Sequence, residues 1–257
     1  MVASLDPTTQ RATASEHSAL AAAQRRWIKP KWAWPRPCEL CGSWGHKPLC
    51  STCVVHFAPR MPRCGHCAIG LPTNEHHCGD CLRRPPSFDR ALAAVDYTWP
   101  WNQLLTRFKF HAQPELASML ADRMIDAIHS QGSSGANLLV PVPLSDPRMA
   151  LRGYNQSWEL TRRIARHFQL PTLADGLMRG RDTPHQVGLE RAAREANLRH
   201  SMWATAPAAA VLRGRRVALI DDVMTTGATV EVATRALRAA GAEHVQVWVL
   251  ARTPRTA

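Results

Sequence analysis

No apolar run in this 257-residue chain approaches the roughly 18–20 residues that a membrane-spanning helix needs, so no membrane insertion is expected. A secretory pattern is missing too. Ala19-Leu20-Ala21-Ala22-Ala23 is too short for a leader core and leads directly into Gln24-Arg25-Arg26. The expected location is therefore cytoplasmic. Lysine is scarce, with four among the 32 Lys+Arg, so the formal charge of +12 is carried almost wholly by arginine. Cysteine is absent outside residues 38–81, which hold all eight, and thiolate chemistry is confined to that stretch. What remains is ordinary: an apolar content of 45% supports a real core, and the length suits one large domain or two smaller ones.

The eight cysteines form four C-x-x-C pairs: Cys38/Cys41, Cys50/Cys53, Cys64/Cys67 and Cys78/Cys81. Each pair can present two thiolates to one metal, and two pairs complete a tetrahedral Cys₄ zinc site. Disulfides or redox pairs are the alternatives, and they suit a cytoplasmic chain less well. The simplest pairing follows sequence order, with Cys38, Cys41, Cys50 and Cys53 in one site and Cys64, Cys67, Cys78 and Cys81 in the other. An interleaved pairing satisfies the spacing equally. Both zinc ions are expected to be structural, because a complete thiolate shell leaves no open position. His46, His56, His66, His76 and His77 are then surplus ligands and read as surface residues.

Three segments follow from composition. Residues 1–37 are a polar, partly disordered extension that ends in a stretch rich in Trp, Arg and Lys. Trp27, Trp32 and Trp34 there could stack on nucleic-acid bases, but the expectation is that they cover the small core of the next segment. Residues 38–84 are the cysteine-rich segment expected to hold both zinc ions. Arg83-Arg84-Pro85-Pro86 makes a stiff linker into a third segment, residues 85–257.

That third segment is organised around Val217 to Thr229, V-A-L-I-D-D-V-M-T-T-G-A-T. Val217 to Ile220 read as a strand buried on both faces, with Asp221 and Asp222 at its end. Thr225, Thr226, Gly227, Ala228 and Thr229 form a small hydroxyl-rich turn before a helix that runs to about Ala240. A strand, a tight turn and a helix N-terminus converge backbone N–H groups on one point, which suits a phosphate. Paired carboxylates beside a phosphate site suit a sugar diol or Mg²⁺ on the same ligand. Phosphate plus ribose hydroxyls describes a 5-phosphoribosyl group, and the thirteen residues resemble the 5-phosphoribosyl pyrophosphate (PRPP) signature of type I phosphoribosyltransferases. A buried strand followed by a helix cap is the bland alternative.

The other elements fit an α/β domain. Strands are expected at 88–97, at 138–144 (stopped by Pro141 and Pro143), at 171–177 and at 244–250. Helices are expected from Gln103 to His111, with Leu104, Leu105, Phe108 and Phe110 apolar, and from Pro114 to about Ile128. Another leads from Arg152-Gly153-Tyr154-Asn155-Gln156 to about Phe168, and Arg152 is placed to meet an anion. Between 179 and 199 lies a polar, arginine-rich segment in which Arg181, Thr183, Gln186, Arg194 and Asn197 could close over a polyanion. Seventeen arginines against ten carboxylates in residues 140–257 give this region +7, an excess that attracts pyrophosphate or nucleic acid.

In order, the four C-x-x-C pairs are followed by C-L-R-R-P-P-S-F-D-R at 81–90, F-K-F at 108–110 and V-P-V-P-L at 140–144. Then come R-G-Y-N-Q at 152–156, R-D-T-P-H-Q from 181, and the PRPP string. This series resembles the ComF family, competence protein F-like proteins, across roughly residues 38–251. The resemblance implies a type I phosphoribosyltransferase fold, a mainly parallel twisted sheet with helices on both faces, preceded by a double zinc ribbon. It implies that Asp221 and Asp222 hold the ribose hydroxyls and act in catalysis. Thr225 to Thr229 would hold the 5′-phosphate, with Val223 and Met224 also in the PRPP site. Pro141, Val142, Arg152 and Asn155 would face Mg²⁺-pyrophosphate, with the 179–199 segment as a lid. It also implies a place in DNA uptake, with PRPP, single-stranded DNA and the uptake machinery as partners. An active transferase with an unidentified acceptor is the competing expectation. A glutamine-dependent PRPP amidotransferase is not expected: Met1-Val2 opens the chain and Cys38 is the first cysteine.

Overall fold

The computed structural model describes residues 34–73, 75–131, 135–180 and 202–255. A short antiparallel pair, β1 (Arg36–Pro37) and β2 (Trp44–Gly45), opens it, followed by α1 (Ser51–Phe57) and α2 (Gly79–Arg83). Then come β3 (Arg90–Asp96), α3 (Trp101–Phe110), α4 (Leu116–Gln131), β4 (Leu138–Pro141), α5 (Asp146–Arg152) and α6 (Gln156–Phe168). The small pair β5 (Met178–Arg179) and β6 (Met202–Trp203) precedes α7 (Ala206–Leu212), β7 (Arg216–Met224), α8 (Ala228–Ala239) and β8 (His244–Arg252).

The central sheet has the order β3-β8-β7-β4, and every pairing in it is parallel. Alternation along β7 sorts its side chains between two cores. Ala218 and Ile220 join Leu139, Trp248 and Leu250 against Leu104, Leu105 and Phe108 of α3, Leu120, Met124 and Ile128 of α4, and Leu160 and Ile164 of α6. Val217 and Leu219 join Val247, Val249 and Val140 against Leu212 of α7 and Val230, Ala233 and Leu237 of α8. Covered on both faces, the sheet needs the continuous apolar runs that β7 and β8 supply. Among the described residues no helix is long and apolar enough to cross a membrane.

Several expectations are corrected. Residues 171–177 do not form a strand; among the described residues their backbone pairs with the sheet at a single bridge, Thr172 to Leu139. Leu177 is buried in the core there, so the apolar content was sound while the backbone turns away. Strand β7 passes through Asp221 and Asp222 to Met224, because β8 continues beside it to the Met224–Arg252 pair. Helix α5 was not expected, and the α4 helix starts two residues past Pro114. Phe110 is 57% exposed, and Trp34 at 89% exposed covers no core. Trp27 and Trp32 lie outside the described residues.

The cysteine-rich segment packs directly on the sheet domain. Cys38, Leu49 and Cys53 join the core beneath α3 and α4. The Trp101 indole donates to the Phe57 carbonyl at 2.5 Å, and Arg107 pairs with Glu39 at 2.9 Å. The second half keeps a small cluster of its own, Ile69 and Leu71 with Cys64, Cys78 and Cys81. Arg63 ties it to the edge strand β3 through Asp96 at 2.7 Å.

Candidate functional site

Strand β4 leaves β7 at the Pro141–Ile220 pair, one residue before the acids. Asp221 and Asp222 therefore sit on a strand flanked by β8 alone, and the place of the missing neighbour is taken by α6 and the end of α3. Both acids are buried, at 9% and 7% exposure. Ser157 Oγ and the Asp222 backbone N–H each donate to Asp221 Oδ1 at 2.9 Å. Lys109 Nζ lies 3.0 Å from Asp222 Oδ1. Burial, reinforced by the charge of Asp222, pushes the Asp221 carboxyl from its ordinary 3.8 to about 7. The N–H of Asp222, Ser157 and Lys109 offset only part of this. One acid of the pair thus has its own cation, and the other is poised near neutrality.

The loop that follows has the form expected of an anion site. Gly227 adopts φ +88°, where only glycine is unstrained, and serves as N-cap of α8. The glycine brings no capping side chain of its own, and the first helical N–H, that of Ala228, donates to Thr226 Oγ1 at 3.4 Å. Thr225, Thr226 and Ala228 are exposed, and Thr229 is half-buried. The loop borders a cleft of about 760 Å³, whose opposite wall includes Cys67, Ile69 and Cys78 of the second cysteine segment.

Arg152 ends α5 instead of starting a helix, and Gly153 beyond it takes φ +74° to turn the chain. Its Nη1 donates to Gln156 Oε1 at 3.0 Å, and its guanidinium lies 4.8 Å over the Phe110 ring. Arg152 Nε and Gln156 Nε2 are buried with no acceptor among the described residues, two donors unspent by the protein. Asn155 is occupied: Oδ1 accepts from the N–H groups of Ser157 and Trp158, and Nδ2 donates to the Val142 carbonyl at 3.0 Å. It caps α6 and ties it to the turn after β4, and so acts on the site through Ser157. Pro141 is the last residue of β4 and Val142 the first of that turn, both buried, and Val142 N–H donates to the Ile220 carbonyl at 2.9 Å. The expected lid residues Arg181, Thr183, Gln186, Arg194 and Asn197 lie outside the described residues.

Sequence reasoning missed Lys109, Ser157 and Tyr154. The Tyr154 hydroxyl donates to the Phe108 carbonyl, so R-G-Y-N-Q and F-K-F form one unit that aims Lys109 at Asp222. The signal that could have found Lys109 is the scarcity of lysine, a single one after residue 47.

The cysteines assemble in sequence order: Cys38, Cys41, Cys50 and Cys53 in one cluster, Cys64, Cys67, Cys78 and Cys81 in the other, ligand atoms within 4.8 Å. Zinc–sulfur bonds of about 2.3 Å at tetrahedral angles put sulfurs about 3.8 Å apart. The Cys41–Cys50 and Cys67–Cys78 sulfurs are each 3.7 Å apart, so the donor set fits zinc. Backbone N–H groups support the thiolates: Cys50 N–H donates to Cys38 Sγ at 3.4 Å and Cys78 N–H to Cys64 Sγ at 3.3 Å. Burial opposes ionisation of Cys64, but N–H groups of Cys67, Cys78 and His66 outweigh it and bring the thiol down to about 6. Among the described residues no histidine joins either cluster. His46, His56 and His76 are exposed as expected, while His66 and His77 are half-buried, with ring centres 4.1 Å apart.

Comparison with known proteins agrees with this architecture. A family model described as the phosphoribosyl transferase domain matches residues 159–257. Competence protein F of Haemophilus influenzae is 36% identical over 208 residues, 79% of this chain and 90% of that protein. DNA utilization protein YhgH of Escherichia coli K12 is 33% identical over 229 residues, 85% and 98% of the two chains. Among solved structures, adenine phosphoribosyltransferase from Leishmania tarentolae aligns with a TM-score of 0.39 and 16% identity, over 65% of this chain and 92% of that one. The described sheet and its flanking helices have the type I phosphoribosyltransferase fold.

Proposed function

Since the chain belongs to the family of competence protein F and YhgH, we propose that it binds Mg²⁺-PRPP on the exposed end of β7 and acts in DNA uptake as a cytoplasmic factor for single-stranded DNA. The observation that carries the PRPP reading is the juxtaposition of a buried acid pair with a helix N-terminus that opens on a left-handed glycine one loop away. Asp221 and Asp222 grip the ribose hydroxyls, the Thr225–Thr229 loop cradles the 5′-phosphate, and Arg152 and Gln156 spend their free donors on pyrophosphate oxygens. Lys109 balances Asp222 and presents a cation to the same pocket. The carboxylates of Asp221 and Asp222 are the hard oxygen donors that would hold Mg²⁺ here, and the ion would supply charge neutralisation for the pyrophosphate. The DNA part of the reading is supported by the names of the relatives, the +12 charge and a groove of about 970 Å³. Arg60, Arg63, Arg90 and Arg123 line that groove on the far side of β3, with Asp126 as its acid.

Titration calorimetry of the zinc-loaded protein with Mg²⁺-PRPP, beside an Asp221→Ala/Asp222→Ala variant, tests the pocket. Binding that the double substitution abolishes is expected; no binding by the intact protein refutes the reading. Binding of a single-stranded oligonucleotide that weakens steeply with salt is expected for the DNA role. A second reading, an active transferase, is favoured by the complete acid-and-loop string; it requires pyrophosphate release when an acceptor is supplied.

A further inference from the structure

Arg252, the last residue of β8, is 8% exposed, and among the described residues it makes no ion pair. Backbone carbonyls satisfy its guanidinium instead. Nη1 donates to the carbonyls of Met224 at 3.0 Å, of Thr253 at 2.9 Å and of Thr225, and Nε donates to that of Cys67 at 2.9 Å. Met224 and Thr225 are the entry to the phosphate loop, and Cys67 is a thiolate of the second cluster. One buried cation therefore clamps the loop to the knuckle across the cleft they share.

A buried charge without a counter-ion is tolerated only while its hydrogen bonds are complete. The Cys67 carbonyl is held in place by the knuckle, whose turn is closed by the Ala68 N–H to the Cys64 carbonyl at 2.8 Å and by the N–H···S bond from Cys78 to Cys64. Such a turn is fixed by its metal, because ligation and local folding are one event. If the knuckle opens, Arg252 loses the acceptor of its Nε and must reorient, and the Met224 and Thr225 carbonyls lose their donor. Among the described residues the first cluster has no such route to the loop; its contacts run to α3 through Glu39–Arg107 and Phe57–Trp101.

We propose that Arg252 is a positioning residue that couples the second cysteine cluster to the phosphate loop, so that metal at Cys64, Cys67, Cys78 and Cys81 and an anion at Thr225–Thr229 stabilise each other. The anion half rests on the pocket reading above; the coupling between knuckle and loop does not. Linkage makes the effect reciprocal: Mg²⁺-PRPP raises the affinity of the second cluster for its metal by the factor by which that metal tightens Mg²⁺-PRPP.

The test uses the full zinc-loaded chain, with wild type, Arg252→Met and Arg252→Lys compared. Zinc release to a chromophoric chelator is followed cluster by cluster, alongside amide hydrogen exchange of residues 224–229. Arg252→Met is expected to speed release from the second cluster at least tenfold, leave the first unchanged and raise exchange at 224–229, with partial rescue by Arg252→Lys. A general loss of stability would instead speed release from both clusters. Should Arg252→Met not fold, wild type is titrated with chelator, and exchange at 224–229 must rise in step with emptying of the second cluster. Unchanged loop exchange after that cluster empties overturns the proposal. Loop exchange that follows the metal in a protein that binds no Mg²⁺-PRPP leaves the coupling standing and refutes the pocket.

Discussion

The sharpest consequence of the acid pair is a stability that falls as pH rises, carried by one side chain. Asp221 titrates near 3.8 when exposed and at about 7 in the folded protein, chiefly because it is buried. Below pH 3.8 it is protonated in both states and has no effect. Between that point and 7 the folded chain holds a proton that the unfolded chain releases. Above 7 folding must bury an anion, and the full penalty applies. At about 1.4 kcal/mol per pH unit the whole interval is worth on the order of 4 kcal/mol, of which about 2 kcal/mol falls between pH 5.5 and 7. Asp221→Asn keeps the shape, can still accept from Ser157 and cannot ionise. Thermal unfolding of both proteins in zinc-containing buffer from pH 5.5 to 8 should show Asp221→Asn gaining about 4–8 °C on wild type as the pH rises, with most of the gain below 7.5. A difference in melting temperature that stays constant over that range refutes the argument.

Lys109→Met removes the cation from a pair whose side chains are 18% and 10% exposed, and should destabilise the protein by about 3 kcal/mol at pH 8 and weaken Mg²⁺-PRPP at least tenfold by calorimetry, with partial rescue by Lys109→Arg. Asn155→Ala loses both N-cap bonds and the tie to Val142; urea unfolding should register a loss of about 1–2 kcal/mol, with a smaller fall in Mg²⁺-PRPP affinity than Lys109→Met gives. Elemental analysis should find two zinc ions per chain, and Cys38→Ser should cost one of them while leaving the other cluster occupied.

What could be read from the sequence was whatever is local. Val217–Ile220, Gly227 and the start of α8 declare themselves because burial on two faces, a left-handed turn and a helix N-terminus each leave a mark within a few residues. The four C-x-x-C pairs are legible for the same reason, and the assembled clusters follow chain order. Strand β7 was read three residues too short because its last pairs, Val223–Ala251 and Met224–Arg252, depend on β8, which local pattern cannot see. The stretch 171–177 misled in the opposite way: Leu177 is a core residue and half-buried Leu173 packs against the same core, but nothing local says that the backbone between them bends out of the sheet.

Lys109 shows why the acid pair looked incomplete from sequence. Read alone, two adjacent carboxylates on a buried strand are an electrostatic liability, and a nearby phosphate loop makes matters no better for them. The compensation comes from α3, a helix in another part of the chain, and it is held there by Tyr154 bonding to Phe108 and Arg152 lying over Phe110. The same α3 rests on the first cysteine segment through Trp101 and Arg107, while Arg252 rests on the second through Cys67. Each half of the site, the acids with their lysine and the loop with its arginine, is thus braced from beneath by one cysteine cluster. A segment too short to hold a core of its own becomes useful by what it stiffens, which gives a physical reason for two four-cysteine clusters beside one candidate site.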